Sequence, residues 1–268
     1  MLARYLWRQP RIELDEVPPP LHSTPQQALE LSQQATNILQ SAGTAPFDDT
    51  TTWTAFETLL YSCLRTEDDK SAHICLERLT TRFGVEDARV MGLKGMYDEA
   101  TARSDSELER ILRRYESVIQ TDPTNIPIAK RRVGLLKSMG RNAAAIQGLI
   151  DLLAMSPTDA EAWTEAAELY ADEQQFRQAI YCLEEVVLIT PNSWNTWARL
   201  GEIYFTCTKG DWLGKEFDPE TCLSLSIRAY CRSLELCDDY IRALCGLKTV
   251  SRIFVACSSL LICRTAGL

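Results

Sequence analysis

Three prolines, Pro123, Pro157 and Pro191, stand 34 residues apart in this 268-residue chain. A proline cannot donate a backbone hydrogen bond, so each one closes a helical stretch. A constant interval between such stops means one structural unit repeated, and a repeat restricts the available folds more than any other feature of the chain.

The unit is clearest between residues 160 and 193. Trp163 and Tyr170 lie seven apart, two turns along one helical face, with the small pair Ala166-Ala167 between them. After a turn, Ala179, Leu183 and Val186 form a second apolar stripe that ends at Pro191. Small residues facing each other let two helices approach closely, and the apolar flank left over is buried only by the next pair. This is the tetratricopeptide pattern. The frame recurs upstream over residues 126–159, with Ala129 in the tryptophan place and Ala145, Leu149 and Leu152 on the second helix. The unit before it carries Gly95, then Ile111, Tyr115 and Val118, with about four extra residues in its turn. Trp53, Phe56 and Leu60 with Ala72, Leu76 and Leu79 make a further, degenerate pair. Downstream, Trp197, Leu200-Gly201 and Tyr204 open another unit. Its second helix, with Ser226, Tyr230 and Ser233, fits only after about 13 inserted residues.

The expected fold is therefore all-α, a tetratricopeptide-repeat superhelical solenoid of antiparallel helix pairs. Residues 1–25 read as an extended Pro-rich arm, with Trp7, Pro10 and Pro18-Pro19-Pro20. The solenoid covers 26–254, with a capping helix over 26–40, a linker over 43–49 and an inserted loop at about 208–221. Residues 255–268 form an atypical apolar tail where an array normally presents a polar cap.

Composition limits the functions available. The net charge of −9 argues against nucleic acid, whose affinity for protein comes mainly from Lys and Arg. The basic runs at Lys130-Arg131-Arg132 and at Arg110 with Arg113-Arg114 read as solvated helix faces or contacts for an acidic partner. The ten cysteines are scattered without C-x-x-C spacing, and the two histidines, His22 and His73, complete no zinc pattern. Met1 to Trp7 lacks the apolar stretch of a secretory leader, so the thiols read as reduced and the compartment as cytosolic. The apolar run over 253–263 is short for a membrane span. No phosphate-binding glycine loop, H-E-x-x-H or G-x-S-x-G motif occurs. Glu184-Glu185 reads as solvated charge, since adjacent helical residues point apart. The chain is expected to bind proteins, with no cofactor, metal or catalytic residue.

Several runs sharpen this. Gly95-Met96 with Glu99-Ala100, Asp122-Pro123-Thr124-Asn125, the stretch from Glu161 to Tyr170, Cys182-Leu183-Glu184-Glu185 and Arg242-Ala243-Leu244-Cys245-Gly246-Leu247 resemble the family of the second subunit of the endoplasmic reticulum membrane protein complex. The resemblance spans about residues 53–247 and is strongest over 95–204. It implies a non-catalytic scaffold, peripheral on the cytoplasmic face of the endoplasmic reticulum membrane. Its partners would be cytosolic segments of membrane-embedded subunits and a further soluble subunit, with membrane contact only through them. The complex would insert tail-anchored and multi-pass proteins without consuming nucleotide. The arm and the apolar tail depart from the family pattern.

First helices of successive pairs line the concave face in such arrays. Spacing assigns to a partner-binding groove Lys130, Lys137, Glu161, Thr164, Glu168, Asp172, Asn195, Glu202 and Phe205, basic at one end and acidic at the other. Two other readings of the repeat are a chaperone adaptor and an auxiliary subunit of a cytosolic enzyme complex. Chaperone adaptors grip a terminal carboxylate with Lys and Asn, and Gly134, Thr164 and Glu168 stand in those places here.

Overall fold

The computed structural model describes residues 24–42, 50–208 and 219–265, and these hold twelve α-helices and no strand. The architecture is the all-α tetratricopeptide type, built of antiparallel helix pairs. The chain divides into two compact units, Met1–Leu135 and Leu136–Leu268, with the division inside one helix.

The first unit holds α1 (Pro25–Ala42), α2 (Thr50–Arg65), α3 (Asp69–Phe83), α4 (Ala88–Thr101), α5 (Asp105–Thr121) and most of α6 (Ile126–Ser138). Its core gathers Leu31, Ala35 and Ile38 of α1, Phe56 and Leu60 of α2, and Ala72, Leu76 and Leu79 of α3. The degenerate pair read around Trp53 is thus a packed hairpin, sealed on one side by α1. Tyr115 of α5 fills the hollow over Gly95 of α4, where a Cβ would collide with the phenol ring. The ring is buried, and its hydroxyl donates to Glu99 Oε1 at 2.6 Å.

The second unit holds α7 (Asn142–Met155), α8 (Ala160–Asp172), α9 (Phe176–Ile189), α10 (Trp194–Cys207), α11 (Pro219–Leu236) and α12 (Ile241–Thr265). The small residues predicted from the repeat are where the helices meet: Ala166, Ala167 and Ala179 are all buried. Leu183, also fully buried, stabilises its hairpin by about 2 kcal/mol relative to an exposed leucine. In the next hairpin Ser226, Tyr230 and Ser233 take the places of Ala179, Leu183 and Val186. The two buried hydroxyls are satisfied, Ser226 Oγ by Gly201 O at 2.7 Å and Ser233 Oγ by Trp194 O at 2.7 Å.

The repeat also fixes its own joints. The indole N–H of Trp163 donates to Pro157 O at 2.8 Å, and that of Trp197 donates to Pro191 O at 3.0 Å. One bond thereby ties the proline that ends a unit to the tryptophan that opens the next. The following helix starts at a residue of matching register: Asn125 Oδ1 accepts from Ile128 N and Asp159 Oδ1 accepts from Ala162 N, satisfying amides that lack a partner inside the helix. Within hairpins, Gly140 (φ 71) and Gln174 (φ 59) adopt the left-handed conformation at positions 34 apart. The amides after them, Arg141 N and Gln175 N, reach back to Leu136 O at 2.9 Å and Tyr170 O at 2.8 Å, the closing bond of a Schellman turn.

One boundary shifts, and the last helix runs on into the tail. The inserted loop does not extend to residue 221, because α11 already begins at Pro219. The backbone past residue 254 remains helical to Thr265, continuing α12. Residues 1–23 of the arm, the linker at 43–49 and positions 209–218 of the insertion lie outside the described residues. Cys63, Cys75, Cys182, Cys207 and Cys222 are buried core thiols; burial pushes the Cys63 and Cys207 thiols up to about 12.

Candidate partner-binding face

The first helices of the repeat carry charges in a recurring arrangement. In the second unit, Arg199 of α10 grips Glu168 of α8 with both arms of its guanidinium, Nε to Oε1 at 2.8 Å and Nη2 to Oε2 at 2.6 Å. Its third nitrogen donates to Glu202 Oε2 at 3.0 Å, one turn further along the same helix. Glu202 in turn accepts from Arg242 of α12, through Nε and through Nη2, the latter at 2.6 Å. Four alternating charges therefore link three successive first helices. Lys137 Nζ adds a pair to Glu165 Oε1 of α8 at 3.2 Å.

The same device occurs in the first unit. Arg89 of α4 pairs with Glu57 of α2 at 2.5 Å. Arg131 of α6 pairs with Glu99 of α4 through two bonds, one of them Nε to Oε1 at 3.1 Å. The acid lies on one first helix and the arginine 31 or 32 residues later on the next, in Glu57–Arg89, Glu99–Arg131 and Glu168–Arg199.

The environments differ from rung to rung. Burial raises the Glu57 carboxyl above the usual carboxylate range, and Arg89 only partly offsets this. Burial also pushes Glu202 upward, but hydrogen bonds from Arg242 and Arg199 outweigh it and hold this carboxyl below its ordinary value. Burial would weaken the charge on Arg199, yet its bonds to Glu168 and Glu202 prevail and raise its pKa.

The predicted groove residues fall into distinct circumstances. Lys130 belongs to the first unit and is half-buried; the other eight belong to the second. Glu168 and Glu202 come together through Arg199, so they do not form the exposed acidic end that spacing suggested. Phe205 packs beside the core cluster of Tyr230, Leu223 and Ala243. Thr164 is exposed but directs its hydroxyl to Ala160 O of its own helix at 2.7 Å, and Asn195 Oδ1 accepts from Thr196 N at 3.0 Å. Glu161 and Asp172 are exposed at opposite ends of α8.

Two basic runs read as solvated faces are also engaged. Arg131 is half-buried against Glu99, Arg132 lies 3.9 Å from Glu116, and Arg114 pairs with Asp98. Glu184 is not merely solvated charge, since it accepts the Tyr204 hydroxyl at 3.0 Å. Repeat spacing does not single out Arg199, Arg89 or Glu57, and Arg242 stands in the sequence only as part of a family run. The signal for most of them was present as an acid followed by an arginine at slightly less than one repeat length.

No group of His, Cys, Asp and Glu able to hold a metal ion occurs among the described residues. What the face offers is a set of side chains held in place by ion pairs.

The sequence model of the "EMC2 TPR-like repeat domain" matches residues 69–211 of the chain. TPR repeat protein oca3 of Schizosaccharomyces pombe is 36% identical over 195 residues, 73% of this chain and 64% of that protein. ER membrane protein complex subunit 2 of Xenopus tropicalis is 34% identical over 204 residues, 76% of this chain and 63% of that protein. The chain thus spans a little under two thirds of the length of these curated relatives. Among solved structures, the C-terminal part of a TPR repeat-containing protein from Cytophaga hutchinsonii superposes with a TM-score of 0.53 at 12% identity, covering 87% of this chain and 95% of that one. That likeness concerns the fold alone.

Proposed function

The chain belongs to the EMC2 family of TPR-like repeat proteins, and on that premise we propose that it is a non-catalytic scaffold subunit of the ER membrane protein complex. The observation that carries the proposal is the match of the family's repeat domain to residues 69–211, the stretch that holds α3 to α10. In this reading the subunit sits peripherally on the cytoplasmic side of the membrane and supports nucleotide-independent insertion of tail-anchored and multi-pass proteins. No helix of the described residues is long and apolar enough to cross a membrane. In this reading, attachment runs through partner subunits.

The ion-pair chain supports a scaffold role physically. A binding face made of paired charges is already ordered before a partner arrives, and preorganisation lowers the entropic cost of association. The partner segment reads the exposed positions Glu161, Asp172, Thr164, Asn195 and Lys137, while Glu168 and Glu202 hold the helices in register.

The test is mass spectrometry of proteins co-purifying with the tagged chain from a mild-detergent lysate. A stable set of endoplasmic reticulum membrane subunits is the expected result. Recovery of only soluble chaperones or cytosolic enzyme subunits sinks the proposal. A companion variant, Glu161→Lys with Asp172→Lys, should weaken that recovery without loss of helical content; undiminished recovery removes the α8 face from the interface.

A further inference from the structure

The three arginine–glutamate rungs are not equally complete. Glu99 meets Arg131 through both carboxylate oxygens, and Glu168 meets Arg199 in the same way. Glu57 meets Arg89 through Oε2 alone, and its Oε1 takes no hydrogen bond among the described residues. Yet Glu57 is the most enclosed acid of the three, its side chain only 8% exposed. Its arginine is the least enclosed: the Arg89 side chain is 71% exposed, against 33% for Arg131 and 27% for Arg199.

This half-made rung borders a cavity of about 430 Å³ in the first unit, a size that takes a small organic group. Leu79, Val90 and Leu93 are its buried apolar lining. Trp53 and Phe83 stand in its wall as an edge-to-face pair, ring centroids 5.3 Å apart. The Arg82 guanidinium lies 6.0 Å from the first ring and 5.7 Å from the second, so this aromatic pair already takes a planar cation. The acids bordering the cavity are Glu57 and Asp87. Burial raises the Glu57 carboxyl, and the single bond from Arg89 offsets this only in part.

We propose that the cavity receives an arginine side chain of a partner protein, whose guanidinium displaces Arg89 and bonds both oxygens of Glu57. The parallel N–H donors of a guanidinium match a carboxylate that has both oxygens to offer, as the other two rungs show. A lysine ammonium has no such fork. Arg89 gives way at little cost, because most of its side chain already stands in solvent. Exchanging one guanidinium for another leaves the charge of the cavity unchanged, whereas an anion would meet Glu57 and Asp87. The Trp53–Phe83 wall adds a surface that favours a planar cation. The proposal does not rest on membership of the membrane complex.

The experiment titrates the full chain, its tryptophan indoles labelled for NMR, with three blocked tripeptides. Each has glycines flanking one central residue: arginine, lysine or the uncharged arginine isostere citrulline. The arginine peptide should move the Trp53 indole resonance saturably and leave those of Trp163 and Trp197 in place. The lysine and citrulline peptides should bind about tenfold more weakly, the value of one charge-assisted hydrogen bond. Glu57→Gln should abolish the response. Arg89→Ala should tighten binding by about threefold, because it removes a competitor whose own pair is worth little. That gain separates a displaced arginine from a structural one, since a damaged fold would only weaken binding. No saturable shift, an equal response to citrulline, a shift shared by Trp163 and Trp197, or weaker binding to Arg89→Ala overturns the proposal. So does tighter binding of free arginine than of the blocked peptide, which would assign the cavity to a small molecule.

Discussion

The phenol ring of Tyr230 occupies the space in which Gly246 has no side chain. A Cβ on Gly246 would collide with the ring at its Cζ, and one on Gly201 would press on it at 3.1 Å from the neighbouring helix. A single buried aromatic thus holds α10 and α12 apart at a distance set by two glycines.

Replacing Gly246 by alanine should therefore destabilise the chain by about 1–3 kcal/mol, the usual cost of overpacking a filled core. Gly134→Ala is the control. It is helical and has no neighbour within 4 Å of its Cβ position, so helix propensity should make the change stabilising by up to about 1 kcal/mol. Urea melts of both variants decide the matter; loss of stability in both would show that glycine content, not the Tyr230 contact, is responsible.

Gln174 and Gly140 do the same work in successive turns, and only one of them suits it. A side chain in the left-handed region costs roughly 1 kcal/mol. Gln174→Gly should accordingly raise stability by about 0.5–1 kcal/mol, while Gly140→Ala lowers it. A thermal melt in which Gln174→Gly is neutral or worse contradicts the strain argument.

The arginine–glutamate chain predicts coupling between helices. Isolated surface pairs contribute little, but a bidentate arginine inside a network is the favourable exception. A double-mutant cycle between Glu168→Gln and Arg199→Met should return a coupling energy of about 1 kcal/mol. The coupling should fall in high salt. Additive effects of the two substitutions would show that the pair is geometric only.

Two acids should answer pH in opposite senses. Glu202 sits below the ordinary carboxylate value of 4.5, so its contribution is present above that pH and is lost as pH falls through the lower, folded value. Glu57 sits above it, so its contribution is full below pH 4.5 and is lost as pH rises through the higher, folded value. The stability gap between the parent and Glu202→Gln should narrow only as pH falls from about 5 to about 3, whereas that for Glu57→Gln should widen in the parent's favour as pH falls from about 7 to about 4.5. Melting curves across both windows test this, and parallel slopes refute it.

Much of the fold was legible in the residues. Trp163, Ala166, Ala179 and Pro191 announce a hairpin because each has one steric duty, and the 34-residue interval repeats those duties. Even Tyr230, displaced by the insertion, keeps its register, since the shape it must fill does not change. The face was read less well. Spacing says which side of a helix Glu168 occupies, but not that Arg199 from the next repeat will reach it with both arms. Ion pairs depend on long side chains meeting across helices, and their offsets of 31 and 32 residues are shorter than the repeat. A search at one repeat length passes over them. Lys130-Arg131-Arg132 misled for a related reason, because a run of like charge looks solvated until acids on other helices are brought beside it.

The ion pairs and the core packing divide mechanical duty between them. Within a hairpin, the seal is apolar: Tyr230 on Gly201, Ala166 and Ala167 facing their partner helix. Between first helices of neighbouring hairpins, the clasp is ionic, Glu168 to Arg199 and Glu202 to Arg242. Salt loosens the second and leaves the first untouched. The hairpins of the second unit also share an apolar seam, where Tyr230 of α11 meets Gly246 and Ala243 of α12. Brine therefore slackens only one of the two fastenings at that joint, and the hairpins stay stacked through the other.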